Sequence, residues 1–395
     1  MLLVTTALEE TWGTDEEILF LGEWCKLYER KEIWQKREHT TLPYSWENRD
    51  QMYLDVEYLR ELYERILPKL SVKLNEIHCT DHSARYWRIF VGIWLGFFIQ
   101  ILFQRWASIE IAKKTCPQLS TLLLTDRIDN QVPNDMNEFV EFMVGDRWNH
   151  HIFSEIIKFQ RTINYSSLEP RLDHKETVIA TSKKEFDSSL KWFLLNCWNF
   201  ILKPLKRDND LFFISSYLPI YDEIKLHLRF RQAPKYNFSK PLIRANSRKE
   251  MRLWNCDIEA QTEFERFVEE MLPLNIPSVY LEGYCSLKKQ LNSLNWPRSP
   301  KLIFTSNSHI YDDLVKFYIA SKVDQGSFYF IGQHGGGPHH AINFQTEHEL
   351  DSCDRYLSPG VGNNYHPKIA DVGQFFSRQW NHDIDGGGLL VQLAV

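Results

Sequence analysis

The chain has 395 residues, enough for two globular domains or one domain with a large insertion. Hydrophobic residues at 43% and charged residues at 25% exclude a mainly disordered chain, and a formal charge of −6 gives no broad basic surface for nucleic acid. Seven scattered cysteines without a CxxC pair exclude a disulfide framework or a zinc knuckle and fit a reducing compartment.

The opening MLLVTTALEE lacks the basic start of a signal peptide. Leu2 to Thr6 and Ile18 to Leu21 are short runs of β formers, predicted as neighbouring parallel strands. Ligands in open α/β sheets sit at strand ends, so the Glu9 to Gly13 turn draws interest. Apolar positions at helical spacing predict a helix over Asp50 to Leu67, ended by Pro68. Ser83 to about Ile109 reads as one long helix, or two with a break near Gly92 to Gly96. Its most apolar stretch, Ile89 to Phe103, is shorter than the roughly 20 residues that span a bilayer, so a buried helix is expected, with membrane contact as the rival reading. Shorter helices are predicted over Asn134 to Met143, His150 to Ile163 and Phe186 to Phe200.

A strand–helix rhythm follows. Strands are predicted at Leu211 to Ser215, Ser278 to Leu281, Leu302 to Thr305, Ser327 to Ile331 and Tyr356 to Leu357, with helices around Cys285 to Leu294 and Asp312 to Lys322. The pattern implies an α/β fold, with a Rossmann-like parallel sheet covered by helices and a large helical insertion at about 50–200. Residues 1–385 are expected to form this domain. Gly386-Gly387-Gly388 and LLVQLAV, at 386–395, read as a linker and the opening strand of a truncated further domain.

The strongest local signal is Phe330-Ile331-Gly332-Gln333-His334-Gly335-Gly336-Gly337, an apolar run entering a glycine-rich turn. Such a turn admits close backbone approach to phosphate or carboxylate. It matches neither the dinucleotide fingerprint nor the phosphate loop of ATP/GTP proteins. His334, Gln333, Gly335 and Gly336 are therefore ligand candidates. His334 with His339 and His340 does not match a zinc pattern, and no metal is expected. Asn307, Ser308 and His309 follow the Leu302 to Thr305 strand and would face the same crevice as His334; Asp312 reads as a helix cap. A carboxylate after strand one or two, Glu10 or Glu23, would serve as general base. Asp146 to His150 form another polar cluster. Asp222 is a further carboxylate, and Arg85 and Arg88 share a helix face that would clamp an anion.

These residues assemble into a resemblance. Val4 to Trp12, Leu21-Gly22-Glu23-Trp24-Cys25, Arg85-Tyr86-Trp87-Arg88, Ser216-Tyr217-Leu218-Pro219, Arg231-Gln232-Ala233-Pro234, Gly332 to Gly336 and Asp354-Arg355-Tyr356-Leu357 appear in order along nearly the whole chain. The chain resembles a family of transferases encoded in bacterial O-antigen and surface-polysaccharide loci, first catalogued in spirochaetes. It departs from that pattern at Gln104-Arg105, where the family has Asp-Arg, and at Ser358-Pro359-Gly360, where it has Trp-Gly. The family is similar to two-domain glycosyltransferases with paired Rossmann-like sheets (GT-B), including enzymes that use CMP-activated sugars. The resemblance implies a cytoplasmic glycosyltransferase of lipopolysaccharide biosynthesis at the inner face of the inner membrane. It would use a nucleotide sugar as substrate, no cofactor, and a glycan or lipid-linked glycan acceptor, with peripheral membrane contact. Glu10, Glu23, His334 and Asp222 become catalytic candidates. Thr6, Trp12, Arg85, Arg88, Asn307, Gln333, Gly335 and Gly336 become substrate-binding candidates. The resemblance also implies a longer chain, so the second sheet is expected to be absent or truncated. The alternative is a non-catalytic glycan- or partner-binding protein.

Overall fold

A computed structural model describes residues 1–125, 131–169, 198, 201–334, 344–360 and 366–373. The first sheet contains β1 (Leu2–Val4), β2 (Ile18–Phe20), β3 (His39–Thr41), β4 (Ser120–Leu124) and β5 (Asn164–Leu168). All are parallel, in the order β3-β2-β1-β4-β5. β1 and β2 are buried throughout because helices and neighbouring strands cover both faces, as a parallel sheet requires. The chain leaves β1 toward β2 on one side and returns through β4 on the other. The gap between β1 and β4 is thus a topological switch point, where such sheets take ligands.

A one-turn helix, α1 (Lys31–Trp34), precedes β3, and two long helices, α2 (Arg49–His78) and α3 (Ala84–Thr115), lie between β3 and β4. The side chain of Asn48 caps α2 by accepting from the Asp50 and Gln51 amides, and Ser83 caps α3 through the Tyr86 amide. The turn between them is fixed by Asn75, whose Oδ1 accepts from the His82 amide at 3.0 Å, Thr80 Oγ1 at 2.9 Å and Trp87 Nε1 at 3.0 Å. Pro68 does not end α2. The helix runs on to His78 because Leu70, Ser71 and Leu74 continue the buried stripe. Nor do Gly92 and Gly96 break α3. They allow close packing: a Cβ at Gly96 would stand 1.8 Å from the Phe344 ring, so any side chain there must displace that ring.

α3 is the central beam of the molecule. Trp87, Phe90, Trp94 and Phe98 are fully buried on it, each burial contributing about 1.5–3 kcal/mol. It has the length and apolarity to cross a membrane, but 72% of its most apolar window is buried in the protein. The expected buried helix is what the structure contains. α4 (Met136–Val144) and α5 (Asp146–Gln160) complete the first half, with α5 between β4 and β5. The helical insertion expected at about 50–200 is therefore interrupted by two strands of the first sheet. Trp198 is helical, and the rest of the Phe186 to Phe200 segment lies outside the described residues.

The α/β class with a parallel sheet and a large helical segment is as expected, and a second parallel sheet is also present. Its strands, β6 (Phe212–Phe213), β7 (Leu302–Thr305), β8 (Phe328–Gly332), β9 (Arg355–Ser358) and β10 (Ile369–Asp371), lie side by side in chain order. The later strands thus do not extend the first sheet, which corrects the expectation of an absent or truncated second sheet. The helices of this half are α6 (Ile220–Arg229), α7 (Glu263–Asn275), α8 (Tyr284–Asn292), the one-turn α9 (Ser308–Tyr311), α10 (Asp313–Val323) and α11 (Phe344–Ser352). α3 packs against α2, α5, α7, α10 and α11, so one helix supports both halves. Residues 386–395 lie outside the described residues.

Ser278 to Leu281 is not a strand. Its amides are taken by the loop after β4: Ser278 N donates to Pro133 O and Val279 N to Asn134 O, both at 2.9 Å. The segment forms a short 3-10 turn, buried as a bridge between the halves. The same loop meets the helix pair after β7. Met136 N donates to Asp313 Oδ2 at 2.7 Å, and Asn137 Nδ2 to Tyr311 O at 3.2 Å. Segments leaving the carboxyl ends of β4 and β7 are thereby stitched together.

Candidate functional site

Polar side chains collect at two strand-end clusters. The first lies at the switch point. Thr5 and Thr6 follow β1 and are buried. Their carbonyls accept from Trp24 Nε1 at 3.0 Å and Trp12 Nε1 at 3.4 Å, which fixes the loop. Thr6 Oγ1 is buried with no hydrogen-bond partner among the described residues. The loop is pinned again from α5, where Asp146 Oδ1 accepts from the Ala7 amide at 3.0 Å. Burial pushes the Asp146 carboxyl above the ordinary range, against the pull of that amide. Arg147, next in sequence, reaches Glu10 at 3.3 Å, and the Glu10 side chain is almost wholly buried.

His150 closes this cluster. Its Nε2 accepts from the Leu124 amide at 3.1 Å, and its Nδ1 lies 3.4 Å from Thr5 Oγ1. The ring therefore joins the ends of β4 and β1, with the proton on Nδ1. Burial pushes its pKa down to about 4. An unfolded histidine titrates near 6.5, so the folded state keeps the ring neutral where the unfolded chain binds a proton. The contribution is full above about pH 6.5 and is lost as pH falls toward 4, an effect of about 3 kcal/mol. Asp312, raised to about 6 by burial, works in the opposite direction over most of that window, below about pH 6. The clean measurement is a difference. Denaturant unfolding at neutral pH and near pH 4.5 should show a smaller acid loss in His150→Asn than in the wild type. Equal losses would remove His150 from the account.

The second cluster lies at the carboxyl end of the second sheet. β6 exits through Ser215, Ser216 and Tyr217. Ser215 and Tyr217 hold φ of +46° and +57°, left-handed values that cost a non-glycine residue about 1–2 kcal/mol. Ser306 Oγ, after β7, donates to Ser216 O at 3.0 Å, and Ser308 Oγ donates to Ser215 Oγ at 2.7 Å. Gly332 ends β8 where a Cβ would meet Ser306 Oγ at 2.5 Å, so close approach excludes any side chain. Gln333 accepts from Ser358 Oγ at 2.7 Å, tying β8 to β9. The His334 ring lies parallel to Tyr217 at 6.2 Å and 6.4 Å from His309. Burial lowers the His334 pKa. His309 Nε2 meets Glu349 Oε1 of α11 at 2.8 Å, both side chains being buried.

The sequence candidates thus separate. Thr6, Trp12 and Glu10 converge at the first cluster with Asp146, Arg147 and His150. Asn307, Gln333 and His334 converge at the second with His309, and Gly335 and Gly336 lie outside the described residues. Glu23 is exposed and pairs with Lys26 at 3.0 Å. Asp222 is exposed on the first turn of α6 beside Lys225. Arg85 and Arg88 are engaged elsewhere, on the seam of α3 with α2 and the end of α11. Arg85 reaches Asp354 at 2.9 Å, and Arg88 holds Glu64 with two bonds of 2.7 Å. Sequence reasoning did not single out Glu349, whose partner His309 is 40 positions away. No group of three metal-ligating side chains occurs among the described residues.

A family model described as LIC12162 family transferase matches residues 1–393. No curated protein and no solved structure matches the chain.

Proposed function

The chain belongs to the LIC12162 family of transferases, and from that premise we propose that it is a glycosyltransferase of surface-polysaccharide (O-antigen) synthesis with a GT-B-like cleft. A nucleotide sugar is the donor, a CMP-activated sugar among those to test, and a glycan or lipid-linked glycan is the acceptor. The observation that carries this reading is the pair of parallel sheets whose carboxyl-end segments, after β4 and β7, are bonded to each other at Asp313. Parallel sheets take ligands at those ends, so a cleft between them suits a two-substrate transfer.

In this reading the acceptor lies at the β1–β4 switch point, where Thr6 Oγ1 is left for a ligand hydroxyl. Glu10 takes the acceptor proton as the hydroxyl oxygen attacks the anomeric carbon. The bond to the donor phosphate breaks, its electron pair leaves with the nucleotide, and the second cluster around His334 receives that charge. An acceptor carried on lipid favours action in the cytoplasm at the inner face of the inner membrane. The non-catalytic reading was motivated by a missing second sheet, and a second sheet is present.

The test offers the purified protein CMP-, UDP- and GDP-sugars with free and lipid-linked oligosaccharide acceptors. Transfer from one nucleotide class supports the proposal. Absence of transfer across the panel, from folded protein, would remove it.

A further inference from the structure

His309 and His334 meet at the carboxyl end of the second sheet, and a third imidazole, His348, lies on α11 against α2 and α3. Burial lowers the pKa of His334, and it drives that of His348 well below the ordinary value. Among the described residues, His309 is the one of the three that faces a carboxylate at hydrogen-bond distance, Glu349 at 2.8 Å. Burial works to raise the Glu349 pKa. The hydrogen bonds from His309 and from Gln345 Nε2, at 2.9 Å, outweigh it and hold the group ionised. The titratable groups that act on His309 or on its partner are Glu349 and His348 on α11, His334 after β8 and Tyr356 on β9.

The second ring nitrogen of His309 has a different status. Nδ1 is buried and has no hydrogen-bond partner among the described residues. Beside it in the chain is Ser308, partly exposed and bonded to the exposed Ser215. None of residues 214–218, 306–309 and 333–334 is Lys or Arg. An anion arriving at these turns meets hydroxyls and imidazoles, and a proton on His309 is the positive charge the edge itself supplies.

We propose that the phosphoryl group of the nucleotide binds at His309 Nδ1, and that binding draws one proton onto the ring. Glu349 is the positioning residue. It holds Nε2–H and supports the imidazolium through its carboxylate. The inference rests on the nucleotide-sugar reading and adds to it a proton-coupled phosphate contact made by a histidine–glutamate pair.

The experiment is calorimetric titration of the folded protein with CMP, UDP and GDP. It is run in buffers of low and high ionisation enthalpy at one pH above the ordinary histidine range. The wild type should take up about one proton per nucleotide bound, and its affinity should fall with rising pH. His309→Gln should abolish that uptake and weaken binding roughly 10–100-fold, as loss of a charge-assisted contact does. Protons on the nucleotide's own phosphate are common to both proteins and cancel in the difference. Glu349→Gln, close to isosteric, should shift the uptake to lower pH, which a merely structural role would not do. His334→Gln should retain the uptake. Uptake that survives His309→Gln, or is lost only in His334→Gln, overturns the assignment. So does nucleotide binding by the wild type without proton uptake. No binding of any nucleotide by the wild type overturns the nucleotide-sugar reading itself, and this inference with it.

Discussion

Replacing Lys316 by alanine is expected to cost about 3–5 kcal/mol of unfolding free energy, the penalty of stranding a buried charge. Lys316 and Asp313 are both fully buried on α10, 2.5 Å apart. Lys316 Nζ also donates to Tyr280 Oη at 2.8 Å, and Tyr280 Oη donates to Asp313 Oδ1 at 2.6 Å. Asp313 Oδ2 accepts from the Met136 amide. The network thus joins α10 of the second half to the bridging turn at Ser278–Tyr280 and to α4 of the first. Without the lysine, Asp313 loses its counter-ion in a site closed to water. Denaturant unfolding at constant m-value measures the loss. Lys225→Ala, which breaks an exposed pair with Asp222, serves as the comparison and should lose nothing measurable. A loss below about 1 kcal/mol for Lys316→Ala would mean the network is not the joint between the halves.

Glu10→Gln should lower the turnover of glycosyl transfer by about 10²–10⁴-fold, the range for losing a general base. Nucleotide binding should persist, because Glu10 sits at the first sheet and the nucleotide is assigned to the second. Stability should change little, since Gln fills the same space and can still accept from Arg147 across the 3.3 Å contact. Turnover at the wild-type rate would exclude Glu10 as the base and turn attention to Asp146. That carboxyl is held above the ordinary range by burial and bonded to the same loop.

Much of the strand pattern was legible where strands are apolar. Leu2–Val4 and Ile18–Phe20 are buried throughout, Leu302–Thr305 and Phe328–Gly332 for the most part, and these short runs of β formers stand out from their flanks. β3 and β5 were not legible. His39–Thr41 and Asn164–Leu168 are polar edge strands, with no buried residue to mark them. Ser278 to Leu281 misled for the converse reason: its apolarity reflects burial in a bridge, and its amides are committed to the loop after β4. Pro68 and the α3 glycines misled because tertiary packing outweighs local propensity in long buried helices. The division into two sheets depends on which strand lies beside which, and local patterning carries no such information.

The site was legible in the same uneven way. Gln333, His334 and Asn307 were marked by their positions after strands, and the structure gathers them with His309. The pairing of His309 with Glu349 was hidden, because Glu349 lies on a helix with weak amphipathicity and looks like a surface acid in sequence. The Asp146 to His150 cluster was visible as polar residues. Its role in holding the ends of β1 and β4 appears only when α5 is packed against the sheet.

Calorimetric titration of the folded wild-type protein with CMP, UDP and GDP in turn tests the central claim most directly. The account predicts selective binding of one nucleotide, displaced by the sugar nucleotide of the same base. Binding of none of the three would contradict it.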